Sequence, residues 1–150
     1  MVDVVPPSVR SRMMAGIRGK DTKPELILRR ALFSRGYRYR LHDRRLPGKP
    51  DIVFPSRRSV IFVNGCFWHG HGCDLFRWPS SNKSFWRQKI ERNIEVDQKW
   101  LEELKRSNWR VLYVWECALK GRGRVPLESL INRIARWLDK GPGHLELAGE

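Results

Sequence analysis

The sequence predicts a mixed α/β fold, in which a mixed β-sheet is flanked by helices. The spacing of apolar residues switches between the helical period of 3.6 and the strand period of 2, and the resulting element order is α-β-β-β-α-β-α. At 150 residues, of which 41% are hydrophobic, the chain is long enough for one domain with its own core. We expect a basic arm at residues 1–20, the folded domain at 21–141 and a frayed tail at 142–150.

The first half of the chain predicts one helix and three strands. The helix begins at Thr22, whose hydroxyl pairs with Glu25 in a capping box, and it ends at Gly36. Alternating aromatic and basic residues then predict a half-buried strand, and two apolar runs around a tight turn predict an antiparallel hairpin. These three strands are expected at residues 37–41, 52–54 and 60–63.

The second half begins with a segment, residues 65–73, that is too rich in glycine for regular structure. A long amphipathic helix is predicted over 84–106, an internal strand over 109–115 and a last helix from Pro126 to Gly141. The apolar face of the long helix should bury Trp86, Ile90, Ile94, Leu101 and Leu104.

The chain is strongly basic. Thirty lysine and arginine residues against sixteen aspartate and glutamate residues leave a net charge of +14, which favours a polyanionic partner, by default nucleic acid. The longest apolar run, Val111 to Trp115, is too short to cross a bilayer. The first residues carry an acid and two prolines without an apolar signal core, so we expect neither export nor a membrane segment.

Cysteine and histidine residues cluster in the 65–73 segment. Cys66, His69, His71 and Cys73 lie close together there, and Cys117 follows a distant strand. Three cysteines cannot form a complete disulfide framework, whereas three thiolates and one imidazole suit a closed tetrahedral zinc site. The spacing is not that of a zinc finger, and Cys117 is also compatible with a plain core position. Five candidate ligands compete for four places, so one histidine is left over.

Two carboxylates occupy unusual positions. Asp97 lies on the predicted apolar face of the long helix, where a lone carboxylate is costly. It either forms a salt bridge with a basic side chain or orients a histidine by accepting its ring N–H. Asp51 stands at the head of a strand beside Lys49, and it is either a turn former or a ligand for Mg²⁺ at a phosphodiester.

Three runs of the sequence resemble the very short patch repair endonucleases, bacterial enzymes that nick DNA beside a T:G mismatch. These runs are LPGKPDIVF, VIFVNGCFWHGHGC and VWECALKGR. The resemblance implies a restriction-endonuclease-like core with a structural zinc, Mg²⁺ as the catalytic cofactor and double-stranded DNA with a T:G mismatch as the substrate. It also suggests a monomer in the bacterial cytoplasm, associated with the nucleoid, with mismatch-repair proteins of the MutL type as partners.

The resemblance implies catalytic roles for five residues. Asp51 and the main-chain carbonyl of Val63 match magnesium ligands. His69 matches the catalytic histidine, and Asp97 matches the residue that orients it. Glu25 matches an acid placed near the metal-bound waters, although its capping role explains it equally well.

The resemblance also implies residues that bind zinc and DNA. Phe67 and Trp68 match an aromatic wedge that enters the base stack, and we expect both to project outward from the glycine-rich loop. Met14 matches an arm residue that enters from the opposite groove. The implied zinc ligands are Cys66, His71, Cys73 and Cys117. Phosphate contacts are expected from the arm and from Arg38, Arg40, Arg44, Arg45 and Lys49.

The sequence departs from related nucleases on the strand after Asp51. The wider superfamily has a second acidic residue and a lysine there, whereas this chain has Phe62, Val63 and Asn64. A better-known family member has histidine in place of Asn64. Because asparagine does not titrate, only a hydrogen-bonding role remains at this position.

We therefore expect a Mg²⁺-dependent endonuclease that cuts on the 5′ side of the thymine in a T:G pair and leaves a 5′-phosphate. Such pairs arise when 5-methylcytosine is deaminated, and the nick would start very short patch repair. The alternatives are a restriction-type nuclease that needs no mismatch and a zinc-stabilised DNA-binding module without catalysis. The adjacent aromatics favour the mismatch enzyme, and the complete set of Asp51, His69 and Asp97 disfavours the inactive module.

Overall fold

The computed structural model describes residues 22–150, so the predicted basic arm and Met14 lie outside the described residues. Three helices and five strands follow one another along this part of the chain. They are α1 (Lys23–Ser34), β1 (Arg40–Leu41), β2 (Ile52–Phe54), β3 (Ser59–Asn64), α2 (Lys83–Arg106), β4 (Arg110–Trp115), α3 (Leu127–Lys140) and β5 (His144–Leu147). None of these helices has a stretch apolar enough to span a bilayer.

The five strands form one mixed sheet in the order β1-β2-β3-β4-β5. The pairs β1–β2 and β2–β3 are antiparallel, which confirms the predicted hairpin, and β3–β4 and β4–β5 are parallel. The two parallel connections contain α2 and α3, as parallel pairing requires a crossover. The predicted mixed α/β class is therefore correct.

The sheet separates two apolar layers, because alternate residues of a strand point to opposite faces. On one face Ile61 and Leu112 pack against residues of α1 and α3, including Leu28 and Ile134. On the other face the alternate strand positions pack against α2 and the cysteine-bearing segment; the buried members are Val53, Val60, Cys66, Leu101, Leu104, Val111, Tyr113, Trp115 and Cys117. This second face carries the three cysteines, and α2, which covers it, carries Asp97.

Three local predictions are wrong. The tail at 142–150 is not frayed, because His144–Leu147 extends the sheet as β5 and buries Leu147 against the core. The first strand is only Arg40–Leu41, although Tyr37 still packs its ring edge-on against Phe54. On α2, Ile94 is 45% exposed, because the neighbouring loop covers only part of the predicted apolar face.

The predicted capping box is also wrong. Thr22 is the N-cap of α1, but among the described residues its side chain makes no capping bond. Glu25 is instead buried, and its Oε2 atom contacts Arg29 Nη1 at 2.8 Å and His42 Nε2 at 2.7 Å. The Arg29 guanidinium is charged, so its bond holds the carboxylate more strongly than a main-chain amide at the helix start would.

Candidate active site and zinc-ligand cluster

A cavity of about 1170 Å³ contains all the predicted catalytic side chains. It lies between the first turn of α1, the loop before β2, the end of β3 and the middle of α2. Its walls include Glu25, Asp51, Val63, His69 and Asp97. The fold thus collects residues that are up to 72 positions apart (97 minus 25) in a single concave site.

Asp51 is held at the floor of this cavity by the backbone of the neighbouring strand. Its Oδ2 atom accepts a hydrogen bond from the Val63 N–H at 2.7 Å. The pKa of Asp51 is raised to about 7, mainly by burial and in part by the nearby charge of Glu25, whereas the hydrogen bond from the Val63 amide lowers it. A buried carboxylate with a raised pKa gains most when a cation binds and stabilises its charged form.

His42 joins Glu25 and Asp51 in one cluster. Its Nε2 atom lies 2.7 Å from Glu25 Oε2 and 4.0 Å from Asp51 Oδ1, and one ligand atom from each of the three residues lies within 4.8 Å of the others. His42 is not among the residues predicted from the sequence. The β1–β2 register pairs Leu41 with Ile52, which places His42 beside Asp51. The sequence predicted the first strand but not its pairing with β2, so this proximity emerges only from the fold.

His69 and Asp97 are in direct contact across the cavity wall. His69 Nδ1 hydrogen-bonds to Asp97 Oδ2, and both side chains are about a quarter exposed. An imidazole that donates its Nδ1–H to a carboxylate presents Nε2 as a proton acceptor. The carboxylate on the apolar helix face thus pairs with a histidine rather than with a basic side chain.

The three cysteines and His71 form a separate cluster behind the cavity. One ligand atom from each of Cys66, His71, Cys73 and Cys117 lies within 4.8 Å of the others, and Cys117 Sγ is 3.6 Å from His71 Nδ1. Burial lowers the pKa of His71 and so favours the neutral imidazole, which is the form that binds metal. Three thiols and one neutral imidazole match the donor set of a closed zinc site.

The loop between the two sites is fixed tightly against its surroundings. The Cys66 N–H donates to Glu116 Oε1 at 3.1 Å, and Asn93 Nδ2 donates to the Trp68 carbonyl at 2.8 Å. Gly70, between the two histidines, has a φ of +61°, and a Cβ atom there would lie 2.8 Å from Ile90 Cγ2. Only glycine combines this conformation with so close an approach to α2.

The aromatic pair does not project outward as predicted. Trp68 is only 7% exposed and Phe67 is half-buried, and their ring centroids lie 5.8 and 5.4 Å from that of Trp86 on α2. The start of α2 covers this part of the loop. Apolar contact with Trp86 therefore holds both rings against the protein, although the loop has no regular structure. Both aromatics nevertheless line the cavity.

The other residues predicted to contact DNA divide into two groups. Lys49 and Arg44 line the cavity. Asn64, for which only a hydrogen-bonding role was predicted, is buried in the cavity wall at the end of β3. Arg38 and Arg40 are exposed outside it. The remaining arginine, Arg45, is held by a bidentate pair of 3.0 Å contacts with the carboxylate of Asp43.

The chain is similar in sequence to known DNA endonucleases. The profile of the family "DNA mismatch endonuclease Vsr" matches residues 2–75. The chain is 50% identical over 134 residues to the type II nicking enzyme V.XorIIP of Xanthomonas oryzae pv. oryzae, which covers 89% of this chain and 97% of that protein. It is 43% identical over 138 residues to the DNA mismatch endonuclease Vsr of Escherichia coli K12, and the aligned region covers 92% of this chain and 88% of that protein. The type II nicking enzyme V.NmeAIP of Neisseria meningitidis is 44% identical over 136 residues, which cover 89% of this chain and 97% of that protein. The chain therefore belongs to the DNA mismatch endonuclease Vsr family and is a nuclease.

Proposed function

We propose that this protein nicks double-stranded DNA on the 5′ side of the thymine in a T:G pair and thereby starts very short patch repair in the bacterial cytoplasm. The observation that carries this proposal is the single cavity in which Asp51, bonded to Val63, faces the His69–Asp97 pair. The net charge of +14 suits a DNA substrate. On this proposal the sheet is a restriction-endonuclease-like core, and the enzyme acts as a monomer that cooperates with proteins of the MutL type.

Mg²⁺ fits the donor atoms at the cavity floor. A strand residue directs its N–H and C=O to the same side, and the Val63 N–H points to Asp51, so the Val63 carbonyl also faces the Asp51 side of β3. A carboxylate, a carbonyl and phosphate oxygens from DNA are the hard oxygen ligands that Mg²⁺ prefers. When bound, Mg²⁺ would supply positive charge to stabilise the scissile phosphate and the leaving oxygen.

The protein side chains would handle the proton. Asp97 fixes the His69 ring through Nδ1, and His69 Nε2 accepts a proton from the attacking water. Glu25 is held by Arg29 and His42, and its buried carboxylate lies near the oxygen ligands of Asp51. We assign Glu25 the role of orienting water at this site rather than that of a helix cap.

The names of several relatives favour a second candidate. V.XorIIP and V.NmeAIP are described as type II nicking enzymes. The second candidate is therefore an enzyme that nicks a specific DNA sequence and needs no mismatch. The same catalytic side chains would serve both reactions.

Mapping the nick on an end-labelled T:G duplex tests the proposal, which predicts one cut 5′ to the thymine with a 5′-phosphate. A cut elsewhere, or a 3′-phosphate product, would contradict it.

Phe67→Ala should lower the preference for mismatched DNA, at a smaller cost in stability than Trp68→Ala. Phe67 is half-buried and lines the cavity, and unstacking a base costs least at a mismatch, so a wedge there contributes to selectivity. Trp68→Ala is a poorer test, because removing a buried tryptophan costs about 3–5 kcal/mol of folding free energy. The measurement is the ratio of nicking rates on T:G and T:A duplexes.

Phe85→Ala is the matched control for this test. Phe85 also contacts Trp86, at 5.1 Å between centroids, but it is 55% exposed and lies outside the cavity lining. Its replacement should leave the ratio unchanged. Equal ratios for wild type and Phe67→Ala would remove the wedge role.

Purified protein should contain about one equivalent of zinc, and a strong chelator should loosen the fold before DNA is added. The four ligands connect the 66–73 loop with the turn after β4, so zinc binding energy is partly folding energy. The measurements are metal analysis and thermal unfolding with and without chelator. Full stability in protein that contains no zinc would exclude this site.

A further inference from the structure

The carboxyl-terminal segment, residues 144–150, lies against the proposed zinc-ligand cluster, which consists of Cys66, His71, Cys73 and Cys117. Its strand β5 runs parallel to β4, with Leu147 beside Val114. Beyond the strand, the Gly149 N–H donates a hydrogen bond to Cys117 Sγ at 3.2 Å, and the Glu150 N–H donates to the Gly123 carbonyl at 2.8 Å. The segment therefore contacts a predicted zinc ligand through its own backbone.

This contact depends on close backbone approach at Gly149. A Cβ atom at Gly149 would lie 2.5 Å from the Cys117 carbonyl oxygen and 2.8 Å from that of Gly123. Backbone atoms cannot move aside as a flexible side chain can, so any larger residue would displace the segment. Gly143, just before β5, is the opposite case, because a Cβ atom there meets nothing within 4 Å.

A second contact runs from β5 to both histidines of the 65–73 loop. The Trp115 Nε1–H donates to Glu146 Oε1 at 2.8 Å. The Trp115 ring stacks on His71, with centroids 4.1 Å apart and planes 9° apart, and it meets His69 edge-on at 6.1 Å. One indole thus contacts the proposed zinc ligand and the proposed catalytic histidine, and Glu146 fixes its orientation.

We propose that the carboxyl-terminal segment is a positioning element. It holds zinc in its site through Gly149, and it fixes the orientation of the His69 ring through Glu146 and Trp115. A main-chain N–H that donates to a thiolate stabilises its charged, metal-binding form. Partners behind the ligands of a metal site commonly control affinity and activity by about 10- to 100-fold. This inference rests on the proposed zinc site and on the proposed role of His69.

Zinc release from the loaded, full-length protein tests the Gly149 contact. With excess chromogenic chelator, Gly149→Ala should release zinc about ten times faster than wild type, in line with the effects of such partners. Gly143→Ala, the same substitution in open space, should release zinc at the wild-type rate. An unchanged rate in Gly149→Ala would overturn the Gly149 part of the inference, whereas wild-type protein that never contains zinc would overturn the zinc site itself.

Glu146 supplies a second test that does not risk the fold, because its side chain is about half exposed. Glu146→Ala should release zinc faster and lower kcat several-fold at unchanged KM, since the indole loses its acceptor. Glu146→Gln should restore both values, because the amide oxygen still accepts the Trp115 N–H. Identical zinc release and kcat in Glu146→Ala and wild type would overturn the positioning role. Equal loss in the Ala and Gln variants would also overturn it, because charge rather than orientation would then be responsible.

Discussion

Replacing Asp51 with asparagine should abolish nicking and leave DNA binding nearly intact. The substitution keeps the shape of the side chain but removes the charge that we propose holds Mg²⁺. Charge stabilisation by a bound metal is worth several kcal/mol at the transition state, so the nicking rate should fall by at least about 10³-fold. Binding to phosphates by basic side chains persists, and the affinity in a gel-shift assay should stay within a few-fold.

The stability of the same variant is a built-in control. Burial raises the pKa of Asp51 to about 7 from its ordinary value of 3.8, so the folded protein binds this proton more tightly than the unfolded chain. The resulting stabilisation of the folded state is complete below pH 3.8 and is lost as pH rises through 7. Above that pH the buried, ionised carboxylate destabilises the folded protein when Mg²⁺ is absent. Asp51→Asn carries no such charge, and its Tm at pH 8 without Mg²⁺ should therefore be at least that of wild type. Near-wild-type nicking by this variant would place the catalytic metal elsewhere.

Substitutions at His69 and Asp97 should reduce nicking by unequal and non-multiplying factors. His69 is proposed to accept a proton from water, and such transfers contribute about 10²–10⁴-fold, so His69→Ala should lose that much. Asp97 acts only through its bond to His69 Nδ1, and Asp97→Asn should lose less. The double variant should be little slower than His69→Ala, because residues that act as a unit are strongly non-additive.

Glu95→Gln is a suitable control for the Asp97 substitution. Glu95 precedes Asp97 by two positions on α2, and its side chain is exposed outside the cavity. Single-turnover nicking rates on one T:G duplex separate the variants. Factors for His69→Ala and Asp97→Asn that multiply in the double variant would show that the two residues do not act as a pair.

The main elements of the fold could be predicted because their signals are local. Helix α2 and helix α3 have long apolar stripes, and β2 and β3 are apolar runs joined by a tight turn. Strand β5 was not predicted because it is only four residues long. It also follows Gly141, Pro142 and Gly143, which indicate a break in regular structure. Only its parallel pairing with β4, a contact distant in sequence, makes it a strand.

The site could be predicted in part. Chemistry-bearing residue types at unusual positions identified Asp51, Asp97 and the cysteine cluster, and the family resemblance separated His69 from His71. The burial of Trp68 and the partners of Glu25 depend on which side chains the fold brings near, and no sequence spacing encodes those contacts.

The most direct test of the proposed function compares two duplexes that differ at one base pair. Purified protein with Mg²⁺ is incubated with a T:G duplex and with the matching T:A duplex, in the same flanking sequence and at the same ionic strength. A mismatch enzyme should nick the thymine strand of the T:G duplex and leave the T:A duplex intact. Equal nicking of both duplexes would contradict the mismatch assignment and identify an endonuclease directed by sequence alone.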